Sequence, residues 1–196
     1  MTMAPSSGDR LRSPHIAARP VVNPVRLTPP HVVEYRALML EAYERHPDAF
    51  TSSVGERASL PLAWWEQRLS EADEPNEIVF GCFVRGELAG VAGLSFESRE
   101  KARHKASLFG MYVPSRFRKM GLGDMLVKQA LSYASSRPNV MLVQLTVTQG
   151  NRAAISLYER NGFVQFGLEP YAVAVGTEFI SKTHMWCKLE RNVYQP

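Results

Sequence analysis

Cysteine is scarce in this chain: its 196 residues include two, Cys82 and Cys187. Two are too few for a disulfide-held scaffold and are compatible with a reducing compartment, hence a cytoplasmic location. Long apolar runs are also missing. No stretch approaches the roughly 18–20 apolar residues that span a bilayer, so no membrane partner is expected. The first twenty residues, MTMAPSSGDRLRSPHIAARP, lack the apolar segment of about 7–15 residues that a secretory signal carries. His184 and Cys187 sit close together, but the further nearby ligands that zinc requires are absent and no metal is expected. There is no G-x-S-x-G elbow for serine-hydrolase chemistry and no G-x-x-x-x-G-K-[ST] phosphate loop. Internal repeats are absent.

What is present is the composition of a globular protein, 45% hydrophobic and 21% charged, of a length that suits one domain. Residues 1–20 mix Pro, Ser, Gly and Arg without apolar periodicity and read as a disordered tail, with an organelle transit peptide as the alternative. Residues 21–196 form the domain. The net charge of +4 is unevenly placed. Residues 1–30 hold Arg10, Arg12, Arg19 and Arg26 against Asp9, a balance of +3, so the remainder carries +1. Within that remainder, residues 99–119 hold seven basic side chains against Glu100, a balance of +6, which leaves −5 elsewhere. One basic segment in an acidic body argues for a small anionic ligand. A nucleic-acid partner would need several phosphate contacts and is not expected.

Hydrophobic periodicity and turn residues predict a strand over Val21–Leu27, a helix over His31–Arg45 and a second helix over Pro61–Ser70. Strands follow at Ile78–Arg85, Leu88–Phe96 and Lys105–Val113, the first two joined at Gly86-Glu87. A helix over Leu122–Ser135, a strand over Val140–Val147, a helix over Ala153–Arg160 and strands at Phe163–Phe166 and His184–Leu189 complete the order. The fold class is mixed α/β: an antiparallel front half, a crossover behind it, and a central mixed sheet of six to seven strands flanked by about four helices.

The most informative segment is Met111-Tyr-Val-Pro-Ser-Arg-Phe-Arg-Lys-Met-Gly-Leu-Gly-Asp124. A strand ends at Pro114, basic residues follow, and Gly121-Leu122-Gly123 opens a helix. The first N–H groups of a helix lack internal partners, and the helix dipole is positive there. Glycines allow close approach, so such a turn can hold a pyrophosphate through backbone N–H groups. Arg116, Arg118 and Lys119 stand ready to add charge-assisted contacts. The dinucleotide fingerprint G-x-G-x-x-G does not fit, because position 126 is leucine.

Arg118-Lys-Met-Gly121-Leu-Gly123 resembles the [QR]-x-x-G-x-[GA] acetyl-coenzyme A motif of the GNAT acetyltransferase superfamily. Downstream, Asn151-Arg-Ala-Ala154-Ile-Ser-Leu157-Tyr158-Glu-Arg-Asn-Gly162-Phe163 resembles that superfamily's second motif, N-x-x-A-x-x-L-Y-x-x-x-G-F. The motifs occur in the family's order within the family's element order, over roughly Val21 to Leu189. The resemblance implies an enzyme, an N-acetyltransferase that moves an acetyl group from acetyl-CoA to a primary amine by direct attack.

It further implies that Met111 and Val113 offer backbone groups to the pantetheine arm. The N–H groups of Arg118, Lys119, Met120, Gly121, Leu122 and Gly123 would hold the pyrophosphate. Lys119 departs from the family, where glycine is common. Asn151 matches a residue that contacts the cofactor arm, and it also suits the N-cap of the following helix. Tyr158 matches the tyrosine proposed as general acid, which protonates the departing thiolate. The glutamate that many members carry on the third strand is missing; the aligned position is Ser107. Glu97 and His104, at the two ends of the preceding hairpin, are candidate bases, and each also fits a plain surface role. Phe50-Thr-Ser-Ser53 and Trp64-Trp65 fall where relatives shape the acceptor pocket.

A second reading is an acyl-CoA-binding sensor or regulatory protein with little catalysis, which the missing carboxylate favours and Tyr158 opposes. The acceptor, a small molecule or a peptide, stays open among protein N-termini, lysines, polyamines, amino acids and amine antibiotics. The −5 outside the basic segment is compatible with a cationic amine, and the resemblance is compatible with a homodimer.

Overall fold

The computed structural model describes residues 22–190; the tail predicted over residues 1–20 lies outside them. Seven strands form one mixed sheet: β1 (Val25–Arg26), β2 (Glu77–Val84), β3 (Glu87–Phe96), β4 (Lys105–Tyr112), β5 (Leu142–Thr148), β6 (Val164–Val175) and β7 (Glu178–Lys188). Their order across the sheet is β1-β2-β3-β4-β5-β7-β6. The α-helices among the described residues are α1 (Val32–Arg45), α2 (Val54–Ala58), α3 (Leu62–Glu66), α4 (Leu122–Ser136) and α5 (Arg152–Arg160). Among the described residues no helix is long and apolar enough to cross a membrane.

The sheet is buried on both faces over its central strands, β2 to β5. Leu122, Leu126, Val127, Ala130 and Ala134 recur at helical spacing, so α4 turns one apolar stripe onto the sheet beside Tyr158 and Phe163. On the other face Tyr35, Leu38, Met39 and Ala42 of α1 pack with Trp65 and Leu69 against Val79 and Val91. Both cysteines are free and buried within this frame.

The expected elements are present, with four local corrections. β1 is two residues long, because Pro24 has no N–H to donate to a ladder. The β2–β3 turn is Arg85-Gly86, one residue earlier than predicted, with φ of 52° and 82°, the pair of positive angles a two-residue hairpin prefers. A short helix, α2, was not foreseen, although Ser53-x-x-Glu56 is a capping box. The Ser53 hydroxyl accepts from the Glu56 N–H at 3.2 Å, and the Glu56 carboxylate accepts from the Ser53 N–H at 2.7 Å. Finally, β6 and β7 are 12 and 11 residues long, far longer than Phe163–Phe166 and His184–Leu189. Residues 164–171 of β6 are exposed; the alternation of Val164, Phe166 and Leu168 with Gln165, Gly167 and Glu169 carries the strand past Phe166, and Pro170 sits where the register shifts between Glu169 and Val173.

Candidate functional site

β4 and β5 run parallel but pair only from Lys105–Ser107 against Leu142–Gln144. Beyond Ser107 they separate, and the rest of β4 presents an unpaired edge toward β5. On its other side β4 pairs with β3 through a bulge: Gly93 opposes Phe109 while Val91 opposes Tyr112. Gly110, at φ 59°, is the residue that absorbs the extra position. The fork between β4 and β5 opens two adjoining cavities that share walls at Ala49, Phe50, Met111, Asn151 and Ala154.

The first cavity, about 560 Å³, is lined by Met111, Val113, Arg118, Lys119, Gly121, Leu122 and Gly123, with Asn151 and Leu157 opposite. Gly121 is the N-cap of α4 at φ 82°, and Lys119 lies in the left-handed region at φ 63°. The first helical bond inside the turn is donated by Met125 to the Gly121 carbonyl. Among the described residues, the N–H groups of Lys119, Met120 and Gly121 donate no backbone bond to the turn, and those of Leu122 and Gly123 precede that first bond. A row of unspent donors at a helix start fits a pyrophosphate. Coenzyme A therefore matches the residues present: a phosphate cradle at one end, and a free strand edge for an extended amide arm along β4.

Two predicted contributors behave differently. The Arg118 N–H is already spent on the Ser115 carbonyl at 3.2 Å, so this residue offers its side chain, whose Nε donates to the Val113 carbonyl at 3.3 Å. Arg116 turns away from the cavity: its guanidinium binds Glu41 in a fork at 3.1 Å and Glu87 at 2.9 Å. Met120 packs its side chain on the core and has only its backbone to give. The Asn151 side chain caps α5 by accepting from the Ala154 N–H at 3.1 Å, which leaves its amide N–H groups for a ligand.

The second cavity, about 410 Å³, adjoins the first and is bounded by Leu108 to Met111 of β4 and Thr146 to Thr148 of β5. Tyr158, on α5, lines it while 7% exposed and stacked edge-on against Phe163. Its hydroxyl makes no hydrogen bond among the described residues. Burial pushes its phenol up to about 12, so the group stays protonated. The loop from His46 to Ser53 roofs this cavity. The Thr148 hydroxyl donates to the Asp48 carbonyl at 2.8 Å, and Lys182 Nζ donates to the Thr51 hydroxyl at 3.3 Å.

Neither candidate base reaches either cavity. Glu97 is ion-paired with Arg99 at the other end of the sheet, and that partnership holds its carboxyl down to about 2. His104 sits in the β3–β4 connection, its carbonyl accepting from Met141 at 2.8 Å. The Ser107 hydroxyl accepts from the Gln144 amide at 3.2 Å. Sequence reasoning missed Arg57, Arg68, Glu77 and Lys182, all of which line the second cavity. They come from four separate elements, and no spacing in the chain links them. Among the described residues no cluster of His, Cys, Asp and Glu could hold a metal ion.

The comparisons with known proteins agree with this geometry. An L-amino acid N-acetyltransferase of Escherichia coli is 28% identical over 122 residues, covering 62% of this chain and 73% of the relative. The [ribosomal protein bS18]-alanine N-acetyltransferase of Salmonella typhimurium is 32% identical over 121 residues, 58% of this chain and 80% of the relative. Among solved structures, an acetyltransferase of the GNAT family from Streptococcus pneumoniae superposes with a TM-score of 0.76 at 28% identity, covering 87% of this chain and all of that one. The yncA protein of Salmonella typhimurium, solved with its cofactor acetyl-CoA, superposes at 0.71 with 18% identity over 90% of this chain and 98% of that one. The acetyltransferase (GNAT) family model matches residues 38–163, and with the split strands and glycine turn in place the chain belongs to that family and uses acetyl-CoA.

Proposed function

We propose that the protein transfers the acetyl group of acetyl-CoA to a primary amine entering from the second cavity. The observation that carries this reading is the continuous cleft, with unspent N–H donors at one end and the unbonded Tyr158 hydroxyl at the other. Bound acetyl-CoA supplies the acetyl group as a thioester. The N–H groups of Lys119 to Gly123 and the Arg118 side chain hold its phosphates; the β4 edge at Met111 and Val113, with the Asn151 amide, aligns its arm. The Tyr158 hydroxyl gives its proton to the departing sulfur, for which a phenol kept neutral by burial is suited.

The incoming amine must be neutral to attack. Glu97 and His104 are remote from the cavity and do not support a base role. The cavity opens to solvent, so the amine loses its proton to water, and only its free-base fraction reacts. The names of the two relatives, one acting on L-amino acids and the other on a protein alanine, support an acceptor among amino acids and protein amines.

The test is thiol release from acetyl-CoA across a panel of amines, run beside calorimetric titration of coenzyme A. Amine-dependent release supports the enzyme. Tight coenzyme A binding with no amine accelerating release would refute it and leave the acyl-CoA sensor in its place.

A further inference from the structure

The second cavity is cationic. Arg57 of α2, Arg68 of the turn after α3 and Lys182 of β7 all line it, and Glu77 is the one carboxylate among its described lining residues. Glu77 is taken, 3.5 Å from Arg68. Arg57 has no carboxylate within ion-pair distance among the described residues. Its guanidinium lies over the Trp64 ring at 4.6 Å and the Tyr43 ring at 5.8 Å, and its buried Nε has no hydrogen-bond partner. Lys182 is 6% exposed; its ammonium donates to neutral oxygens, the Thr51 hydroxyl at 3.3 Å and the Ala49 carbonyl at 3.5 Å, while the Glu169 and Asp48 carboxylates favour its charge from beyond ion-pair distance. A part-buried cation with no ion-pair partner gains from an incoming anion, so the balance of this cavity favours an anionic group. Coenzyme A's phosphates belong to the glycine turn at the opposite end and do not serve. Polyamines and lysine side chains would add positive charge to this cluster.

Resting on the acyl-transfer reading, we propose that the acceptor is a free α-amino acid whose carboxylate is held by Arg57 and Lys182. A guanidinium presents a planar fork that matches a carboxylate, and the lysine adds a point charge beside it. One side of the cavity, formed by Tyr35, Met39, Tyr43, Phe50, Leu108 and Phe109, is apolar and aromatic and suits an apolar side chain, while serine, threonine and asparagine side chains line the rest. The −5 of the body is compatible with a cationic acceptor; the folded cavity carries the opposite sign.

The experiment measures thiol release with L-methionine and L-phenylalanine against their carboxamides, phenethylamine, putrescine and an alanine-led tetrapeptide, corrected for the free-amine fraction of each. Charge-assisted bonds predict that the acids exceed their carboxamides in kcat/KM on the order of 10- to 100-fold. Arg57→Gln and Lys182→Met should each raise KM for the acids and bring the acid-to-amide ratio toward one. Carboxamides, putrescine or the tetrapeptide matching or exceeding the acids would overturn the proposal while leaving acyl transfer standing. If no amine releases thiol, acyl transfer fails instead, and the carboxylate site is read by calorimetry on the coenzyme A-loaded protein. N-acetyl-L-methionine binding more tightly than its carboxamide then upholds the site; equal binding, or none, overturns it.

Discussion

Replacing Gly121 by alanine separates the two glycines of the phosphate turn. Gly121 sits at φ 82°, and an added Cβ would meet only the Met125 methyl at 3.8 Å. There is no clash, so the whole effect is backbone strain of about 1–2 kcal/mol for an L-residue in that region. The narrower unfolded ensemble of alanine offsets roughly 0.4–1 kcal/mol of it. A net loss near 1 kcal/mol lowers Tm by about 2–4 °C for a domain of this size. Relief of the strain by rotation swings the N–H groups of Leu122 and Gly123 off the phosphate, and each bond lost to a charged group weakens coenzyme A about 10- to 100-fold. Gly123 differs: its φ is ordinary, and a Cβ would press at 3.2 Å on the tips of Leu157 and Met111, both flexible side chains. Gly123→Ala should therefore keep Tm and change coenzyme A affinity by no more than a few-fold. This is the physical basis of a motif that requires glycine at the first position and admits alanine at the second. Calorimetric Kd values and melting curves for both variants decide the matter. Gly123→Ala weakening coenzyme A as much as Gly121→Ala would refute the reasoning.

Other perturbations test the remaining parts of the cleft. Tyr158→Phe should lower kcat about 100-fold or more at unchanged coenzyme A affinity, and unaltered turnover would remove the hydroxyl from the mechanism. Because burial raises the Tyr158 phenol to about 12, kcat at saturating acceptor should climb with pH up to the acceptor's own amine pKa and show no fall near 10 from the phenol. By contrast, kcat/KM for an amino acid falls as Lys182, which burial holds below the ordinary lysine value, loses its charge. The same raised phenol lets the unfolded chain ionise first, so its stabilising contribution is full below pH 10 and is lost between 10 and 12; an alkaline fall near 10 that disappears in Tyr158→Phe would contradict both statements. Arg116→Gln should leave KM for acetyl-CoA unchanged, since Glu41 and Glu87 already hold that guanidinium, whereas Arg118→Gln should raise it; equal effects would return Arg116 to the phosphate site. Lys119→Gly relieves a left-handed lysine at φ 63° and should stabilise the fold by roughly 0.5–1 kcal/mol after glycine's entropy is counted; a lower Tm would show that the lysine side chain contributes more than its backbone strain removes.

Local chemistry determined much of this protein from its sequence. Apolar spacing marked α1 and α4, β-branched runs marked β5, and Gly121-Leu122-Gly123 marked a helix start whose first N–H groups lack internal partners. Those features depend on residues close together in the chain, and neighbouring residues can express them unaided. Even α2 was written locally, in Ser53 and Glu56. The extent of β6 was local only in part: Val164, Phe166 and Leu168 alternate with polar or small residues, but Pro170 interrupts the run and pairing with β7 carries the strand on to Val175. Tertiary structure alone decided the rest. Arg116 and Arg118 are two residues apart in one basic run, yet Glu41 and Glu87, distant in sequence, draw the first away and leave the second at the cleft. Glu97 and His104 flank the right hairpin but stand at its far end. The second cavity gathers Arg57, Arg68, Glu77 and Lys182 from four elements, so its charge exists only once the sheet has closed. Net charge sums over the whole chain, while an acceptor meets the few side chains that folding has brought within a few ångströms of it.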